Sequence, residues 1–223
     1  MWPPRSAGPR LSGPNPVDRS LLPDAPQPEL DFYPPESTVA AARQTYFDRY
    51  GLGDGGYEAN WVYIKLGSLP VVFPNTPARK RNVRAHDLHH LATGYNAVLS
   101  QGEIDVSAFE LSCGGCRTFL FGWMVICGLF VLGLVVRPRP LFRAFMRGRG
   151  ARNLFQTPVG SRYDAMTVAE LRRFLGVRDS LRLAGGADVG MFAVWSAISI
   201  LVTALSATAF TAPIALGVWW IAR

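Results

Sequence analysis

Apolar positions recur with helical spacing in several stretches of this chain. The first such stretch begins at Val39, and Gly51 follows it where a C-terminal cap belongs. A hydroxyl group that can cap the start of a helix precedes it, from Ser37 or from Thr38. The pattern therefore predicts a first helix between these caps.

Two short runs rich in β-branched and aromatic residues follow, Trp61–Leu66 and Leu69–Phe73. Such runs on either side of a short glycine-containing break are typical of a β-hairpin. Pro70 confines the second run to the edge of a sheet, because proline has no N–H to donate. A lone hairpin is only marginally stable, so we expect it to pack on helices.

Helical patterns resume further along the chain. One helix is predicted from about Arg81 to Thr93, with Gly94 at its end, and another begins near Gly102 after a loop. The run Thr167-Val-Ala-Glu170 has the spacing of a capping box and predicts the start of a short amphipathic helix.

Two long apolar runs suggest contact with a membrane. Thr118–Val136 has 19 residues without a charged side chain, and as a helix it would be about 28 Å long, close to a hydrocarbon core of about 30 Å. Val189–Ile221 has 33 such residues, so we expect a bent membrane-embedded element, either a tilted span or a hairpin turning between Ser206 and Pro213. The predicted class is mainly α, a helical domain with a small β-hairpin and membrane-embedded apolar helices.

Composition and charge divide the chain further. Residues 1–35 hold 10 of the 17 prolines and are expected to form a disordered tail, followed by a helical domain over 36–180 and a membrane-embedded segment over 189–222. The net charge of +7 is uneven, since residues 137–188 carry 11 arginines against 4 acidic residues. Their position between two apolar runs favours anionic lipid as a partner and argues against nucleic acid.

All three histidines lie in one pentapeptide, His86-Asp87-Leu-His-His90. On a helix, His86 and His90 are one turn apart and Asp87 is three residues before His90, so three ligands converge. Two imidazoles with carboxylate oxygens suit Zn²⁺, Fe²⁺ or Mn²⁺ better than Ca²⁺, and Zn²⁺ is the ion we expect. Glu103, early in the next helix, is the candidate fourth ligand, although its spacing from Ser100 also fits a helix cap.

Alternatives to this metal site stay open. Paired histidines on a helix are often only polar surface, and His89, off the shared face, either supports the ligands or faces solvent. A desaturase-type di-iron site is excluded, because it needs several histidine boxes and no histidine lies outside residues 86–90. The single Cys113-Gly-Gly-Cys116 pair is a weak indication of metal or redox chemistry, and its glycines are typical of a bend where a helix enters an apolar run.

The histidine motif is followed by Thr93-Gly-Tyr95 and by Gly102-Glu103. Together they resemble the signature of the coenzyme Q (ubiquinone) biosynthesis protein four family, in which His-Asp-x-x-His is followed after eleven residues by Glu. Here twelve residues separate His90 from Glu103. A weaker likeness extends the resemblance to about residues 37–178, and the C-terminal apolar run has no counterpart in the family core.

The resemblance implies a helical, membrane-associated protein with a divalent cation held by His86, Asp87, His90 and Glu103. It implies a role in ubiquinone or related prenylated-quinone biosynthesis, either scaffolding the biosynthetic enzymes or oxidatively removing the ring carboxylate of a prenylated precursor. The expected partners are membrane lipids, that precursor and other quinone-biosynthesis enzymes. A non-catalytic lipid-binding or scaffold protein with a structural metal is the alternative, so whether the chain is an enzyme stays open.

Two topologies are possible, and they place the histidines on opposite sides of the membrane. If residues 118–136 cross the bilayer, the positive-inside rule puts the arginine-rich segment in the cytoplasm and the histidines outside. The resemblance instead needs residues 37–178 on one side, with 118–136 embedded or packed without crossing. We expect a site that faces the cytoplasm, where metabolite precursors are made.

Overall fold

The computed structural model describes residues 31, 33–66, 69–157, 160–178 and 183–221. Over these residues the chain is mainly helical, with one two-stranded antiparallel hairpin and a long apolar helix near the C-terminal end, which confirms the predicted class. In chain order the elements are α1 (Val39–Tyr50), β1 (Trp61–Leu66), β2 (Leu69–Pro74), α2 (Pro77–Thr93), α3 (Gly102–Ser112), α4 (Leu120–Val136), α5 (Pro138–Gly148), α6 (Val168–Leu175) and α7 (Gly186–Ile221).

Helix caps explain where several elements begin and end. The Thr38 hydroxyl caps α1, and Gly51 closes it with a left-handed φ of 62°. The capping box of α6 is present, with Thr167 and Glu170 each bonding the other's backbone N–H. Helix α2 starts four residues before its predicted position, because the hydroxyl of Thr76 caps it there.

Helix α2 lies between two apolar cores. The first core joins α2 to α1 and α6, and the second is formed mainly by α3, α4 and α5. The buried apolar side chains that α2 contributes to the first core are Ala85, Leu88, Leu91 and Ala92. The histidines of α2 contact α3 instead, so polar side chains of two helices meet at the junction of the two cores.

Helix α4 packs between α3 and α7 rather than standing apart. Asp105, near the start of α3, pairs with Arg137 at the end of α4 at 3.1 Å, so the two helices run antiparallel. After α4 the chain returns to elements that precede it, because Arg147 donates to the backbone carbonyl of Thr93 at 2.6 Å. Helix α4 is therefore packed into the folded domain, against elements that precede and follow it in the chain.

The C-terminal apolar run forms one uninterrupted helix, α7, with Pro213 inside it. The described residues of this run therefore do not form a hairpin turn between Ser206 and Pro213. The first part of α7 packs on α4, where Trp195 stacks on Trp123 at 5.8 Å between ring centroids and Ser199 is buried. Thirty-six residues give a helix about 54 Å long. Among the described residues, α7 is the one helix that is long and apolar enough to cross a membrane.

The predicted proline-rich tail lies mostly outside the described residues. Its described end is packed on the domain: the Asp31 N–H donates to the Gly94 carbonyl at 2.6 Å, and the Asp31 carboxylate pairs with Arg49 at 2.6 Å. Tyr33 is buried in the first core. The folded part thus reaches back to residue 31, ahead of the boundary at residue 36 that composition predicts.

Several arginines of the 137–188 segment are engaged inside the protein. Besides Arg137 and Arg147, whose contacts are given above, Arg149 pairs with Asp188 at 3.3 Å. The Arg152 guanidinium lies 4.9 Å from the ring centroid of Phe174. These arginines connect secondary-structure elements to one another. Exposed arginines such as Arg139 are the ones that could contact lipid headgroups.

Candidate metal centre

Three side chains from α2 and α3 converge on one point. His86, His90 and Glu103 each offer a ligand atom, and the three atoms lie within 4.8 Å of one another. The two Nε2 atoms are 3.1 Å apart, and the Glu103 carboxylate lies 3.3 Å from one of them and 3.4 Å from the other. Two ligands of a tetrahedral Zn²⁺ ion lie about 3.3 Å apart when each is about 2.0–2.1 Å from the metal. The group therefore has the spacing of three ligands and leaves a fourth position open.

Hydrogen bonds set which nitrogen of each imidazole faces the group. His90 Nδ1 lies 2.8 Å from the backbone carbonyl of Tyr95, and a carbonyl can only accept. His86 Nδ1 lies 2.8 Å from Glu110 Oε1, which is likewise an acceptor. Each Nδ1 therefore carries a proton, and each Nε2 can direct a lone pair at the shared point. Metal-binding histidines commonly show this arrangement.

Glu110 and His89 extend this support into the core. Glu110 Oε1 also accepts from His89 Nδ1 at 2.9 Å, and His89 Nε2 in turn accepts from the Leu154 N–H at 3.4 Å. Burial by itself raises the pKa of Glu110, but the imidazoles facing it outweigh burial and hold the pKa at about 2. His89 is fully buried, so it supports the ligands rather than facing solvent. Burial lowers the pKa of its imidazole.

The sequence left two roles open for Glu103, a metal ligand or a helix cap. Helix α3 begins without a side-chain cap bond, and the Glu103 carboxylate instead faces the two histidines. Burial raises the pKa of Glu103, but His90 and His86 outweigh it and hold the pKa well below its ordinary value. The carboxylate is therefore ionised, as a metal ligand must be.

A tight loop positions Glu103 at the start of α3. The side-chain oxygen of Asn96 accepts from the N–H of Gly102 at 3.1 Å and from the N–H of Val98 at 3.0 Å. A Cβ atom on Gly102 would overlap the backbone of Asn96. Glycine at this position thus allows the close approach that brings Glu103 to His90.

Asp87, the remaining ligand predicted from the sequence, lies outside the group of three. The Tyr57 hydroxyl donates to Asp87 Oδ2 at 2.6 Å, and burial raises the pKa of this carboxyl group. With 3.6 residues per turn, Asp87 projects at least about 60° away from both His86 and His90 around the helix. The structure therefore pairs Asp87 with a tyrosine.

The surroundings of His86 favour positive charge. Burial lowers the pKa of its imidazole, but the Glu110 and Glu103 carboxylates outweigh burial and raise the pKa well above its ordinary value. Two ionised carboxylates that face one partly buried imidazole stabilise a cation there, either a proton or a metal ion.

A cavity of about 190 Å³ opens beside the ligands. Its polar side includes His86, Glu103 and Glu110, together with Arg79 and Asn82 from earlier turns of α2. The opposite wall is apolar and comes mainly from α4 and its approach: Phe119, Phe121, Val125, Ile126 and Leu129. Phe121 and Val125 are also exposed on the outer surface, so the apolar wall continues onto the exterior of α4.

Three contributors to the site were not predicted from the sequence: Glu110, Tyr46 and Tyr57. Glu110 follows Glu103 by seven residues, two helical turns, and this spacing could have marked it as lying on the same face of α3. Tyr46 stacks on His90 at 5.5 Å between ring centroids, and Tyr57 holds Asp87. No sequence spacing signals the two tyrosines, because they come from α1 and from a glycine-rich loop.

The cysteine pair lies beside the cavity but outside the group of three. Cys113 and Cys116 are free thiols, and burial, with the field of Glu110, raises the pKa of both. Both therefore stay protonated, which does not suit a metal-bound thiolate.

The residues present fit a divalent cation. His86, His90 and Glu103 form a group that could hold a metal ion, with two imidazole nitrogens and one carboxylate oxygen as donors. Zn²⁺, Fe²⁺ and Mn²⁺ accept this donor set, whereas Ca²⁺ prefers oxygen ligands throughout. No family model, no curated protein and no solved structure matches this chain.

Proposed function

We propose that this chain is a metal-dependent, membrane-associated protein of ubiquinone or related prenylated-quinone biosynthesis that acts on a prenylated ring acid. The observation that carries the proposal is a juxtaposition: the group His86, His90 and Glu103 opens into a cavity with an apolar far wall. The likeness of the 86–103 stretch to the coenzyme Q biosynthesis protein four family supports the choice of pathway. Zn²⁺ is the proposed ion, with Fe²⁺ or Mn²⁺ as alternatives.

The size and lining of the cavity suit a ring with an apolar tail. Its volume of about 190 Å³ is below the roughly 300–1,000 Å³ of sites that enclose a drug-sized ligand. A single ring fits inside, while a prenyl tail would continue along the exposed apolar surface of Leu120, Phe121 and Val125. Such a tail needs no polar partner, because apolar area alone favours its burial.

The course of α7 supports delivery of the ligand from the membrane. Phe192 contacts Phe130 in the second half of α4, and Trp195 stacks on Trp123 in its first half, so α7 runs antiparallel to α4. The exposed C-terminal part of α7 therefore emerges at the end of α4 that carries Phe121.

An anchor in α7 would bring the mouth of the cavity to the surface of the bilayer. Trp219 and Trp220, near the end of α7, suit the far interface. The arginines between residues 137 and 178 precede α7, and the positive-inside rule then supports a cytoplasmic position for the metal site.

The residues of the chain prepare the site for this role. When bound, the cation supplies a Lewis acid that withdraws charge from a ring oxygen. Glu110 and the Tyr95 carbonyl fix the two imidazole rings, and Tyr46 packs on His90. A ligand that covers the apolar wall would exclude water from the cavity, which would strengthen the charged contacts inside it.

A non-catalytic lipid-binding or scaffold protein is the second candidate. One observation favours it: the ligands come from both α2 and α3, so a cation would also tie two helices together. Replacement His90→Ala separates the two candidates in cells that depend on this chain for quinone production. An enzyme loses metal and quinone together, whereas quinone production that survives the loss of metal rejects the enzyme.

Metal content is the first measurement. Detergent-purified wild type is expected to hold about one zinc ion per chain, and His86→Ala and His90→Ala are expected to lose it. Replacement Arg81→Ala, at an exposed position of the same helix, serves as the control. Equal and negligible metal in all four proteins would remove the basis of the proposal.

A further inference from the structure

Arg79 is a positively charged side chain that lines the cavity. None of the ion pairs among the described residues involves it; its Nη1 donates to the neutral side chain of Asn75 at 2.9 Å, and its guanidinium lies 5.6 Å from the ring centroid of Phe73. Burial lowers the pKa of Arg79, and the field of Asp87 only partly offsets this. The guanidinium nevertheless stays charged at neutral pH. A partly buried cation with neutral contacts is stabilised when an anion binds beside it.

Asn82 lies between Arg79 and the metal ligands along α2. Its Nδ2 donates to the Ala78 carbonyl at 2.8 Å, while its Oδ1 is buried and has no hydrogen-bond partner among the described residues. Arg79 and His86 are seven residues apart, so they face the same side of the helix with a rise of about 10 Å between them. One face of α2 thus presents the Arg79 guanidinium about two turns before the metal ligands.

We propose that Arg79, on the same face of α2 as the metal ligands, holds the carboxylate of the ligand. The planar guanidinium matches a carboxylate with two parallel N–H···O bonds. The ring acid with an apolar tail of the proposed function would then bind with its acidic end toward Arg79 and its ring toward His86. This assignment rests on the proposed function and extends it by naming the side chain that binds the carboxylate of the ligand.

Two probes that differ only in the carboxylate test the assignment. They are 3-geranyl-4-hydroxybenzoate and 2-geranylphenol, and their dissociation constants are measured on the zinc-loaded full chain in detergent. Wild type is expected to bind the acid at least about tenfold more tightly than the phenol. Replacement Arg79→Gln is expected to weaken binding of the acid about 10- to 100-fold and to leave the phenol unchanged. Arg79→Lys keeps the charge but loses the planar fork, so we expect an intermediate loss.

The matched control is Arg81→Gln, which removes the same charge from an exposed position on α2 and should change neither constant. An equal loss for both probes in Arg79→Gln would mean a structural role and would overturn the assignment. A wild type that binds both probes equally would also overturn it, while the lipid-binding proposal stands. Wild type that holds neither zinc nor either probe would reject the proposed function, and this assignment with it. Zinc content and melting temperature report folding, and Arg79→Lys decides the question if Arg79→Gln does not fold.

Discussion

The Nε2 atoms of His86 and His90 face each other at 3.1 Å on successive turns of α2. Oxygen acceptors hold both Nδ1 atoms, so two lone pairs would meet at this point unless a proton or a metal ion lies between them. The Glu103 carboxylate completes the group. The arrangement therefore requires a positive charge between the two imidazole rings.

Glu110→Gln should weaken zinc binding about 10- to 100-fold, the usual effect of losing the partner that orients a ligand. An amide can present its NH₂ group to His86 or His89, which disturbs the orientation of both rings. Zinc affinity is measured by competition with a chelator. Glu36→Gln, at an exposed position, is the control, and equal affinities of the two variants would contradict the role given to Glu110.

Glu103→Gln and Asp87→Asn should differ sharply in metal content. The Glu103 carboxylate faces both imidazoles, so its loss should reduce zinc from about one ion per chain to a small fraction of that. Asp87 accepts from Tyr57, and an amide oxygen can accept the same bond, so Asp87→Asn should retain zinc. The zinc content of the purified proteins is measured by mass spectrometry. Loss of zinc from Asp87→Asn would show that Asp87 is a metal ligand.

Zinc affinity should rise with pH. The two carboxylates that face His86 raise its pKa well above about 6.5, its ordinary value, so the metal-free group holds a proton that zinc must displace. Below the raised pKa, the association constant should therefore increase up to about tenfold per pH unit, and it should level off above that pKa. Titrations between about pH 5.5 and 8.5 test this. A constant affinity across the range would show that no proton is displaced.

Gly102→Ala should destabilise the protein by about 1–3 kcal/mol, the usual cost of overpacking, and should lower its zinc content. The added methyl group would overlap the backbone of Asn96 and displace the start of α3, which carries Glu103. Gly128→Ala is the control, because a Cβ atom there meets no other atom within 4 Å and alanine favours a helix. Equal melting temperatures of the two variants would reject this account of the loop.

Lysine at both Leu205 and Phe210 should move the protein from the membrane fraction to the soluble fraction. Both side chains are exposed on the part of α7 that extends past α4, and each lysine at a helix centre costs about 2.5–3.5 kcal/mol on insertion. Zinc content should not change, because neither residue touches the metal site. Leu183→Lys, outside the helix, is the control. Retention of the double variant in the membrane would place the anchor elsewhere.

The sequence by itself determined the local features of this protein. The caps at Gly51 and Gly94, the hairpin and the one-turn spacing of His86 and His90 depend on residues close together in the chain. For the same reason the long apolar run was recognisable as one helix-forming element, although its continuity through Pro213 was not. Periodicity and capping are properties of a few neighbouring residues, so a pattern in the sequence is sufficient to predict them.

Only the tertiary structure decided which side chains meet. In the folded chain the Glu103 carboxylate lies against the histidines rather than capping a helix, and Asp87 accepts from Tyr57. Glu110 contacts His86, which is 24 positions away in the sequence. The tertiary structure also placed α4 against elements that precede and follow it, which the length of its apolar run leaves open. These contacts depend on how two cores pack on the two sides of α2, and residues distant in sequence determine that packing.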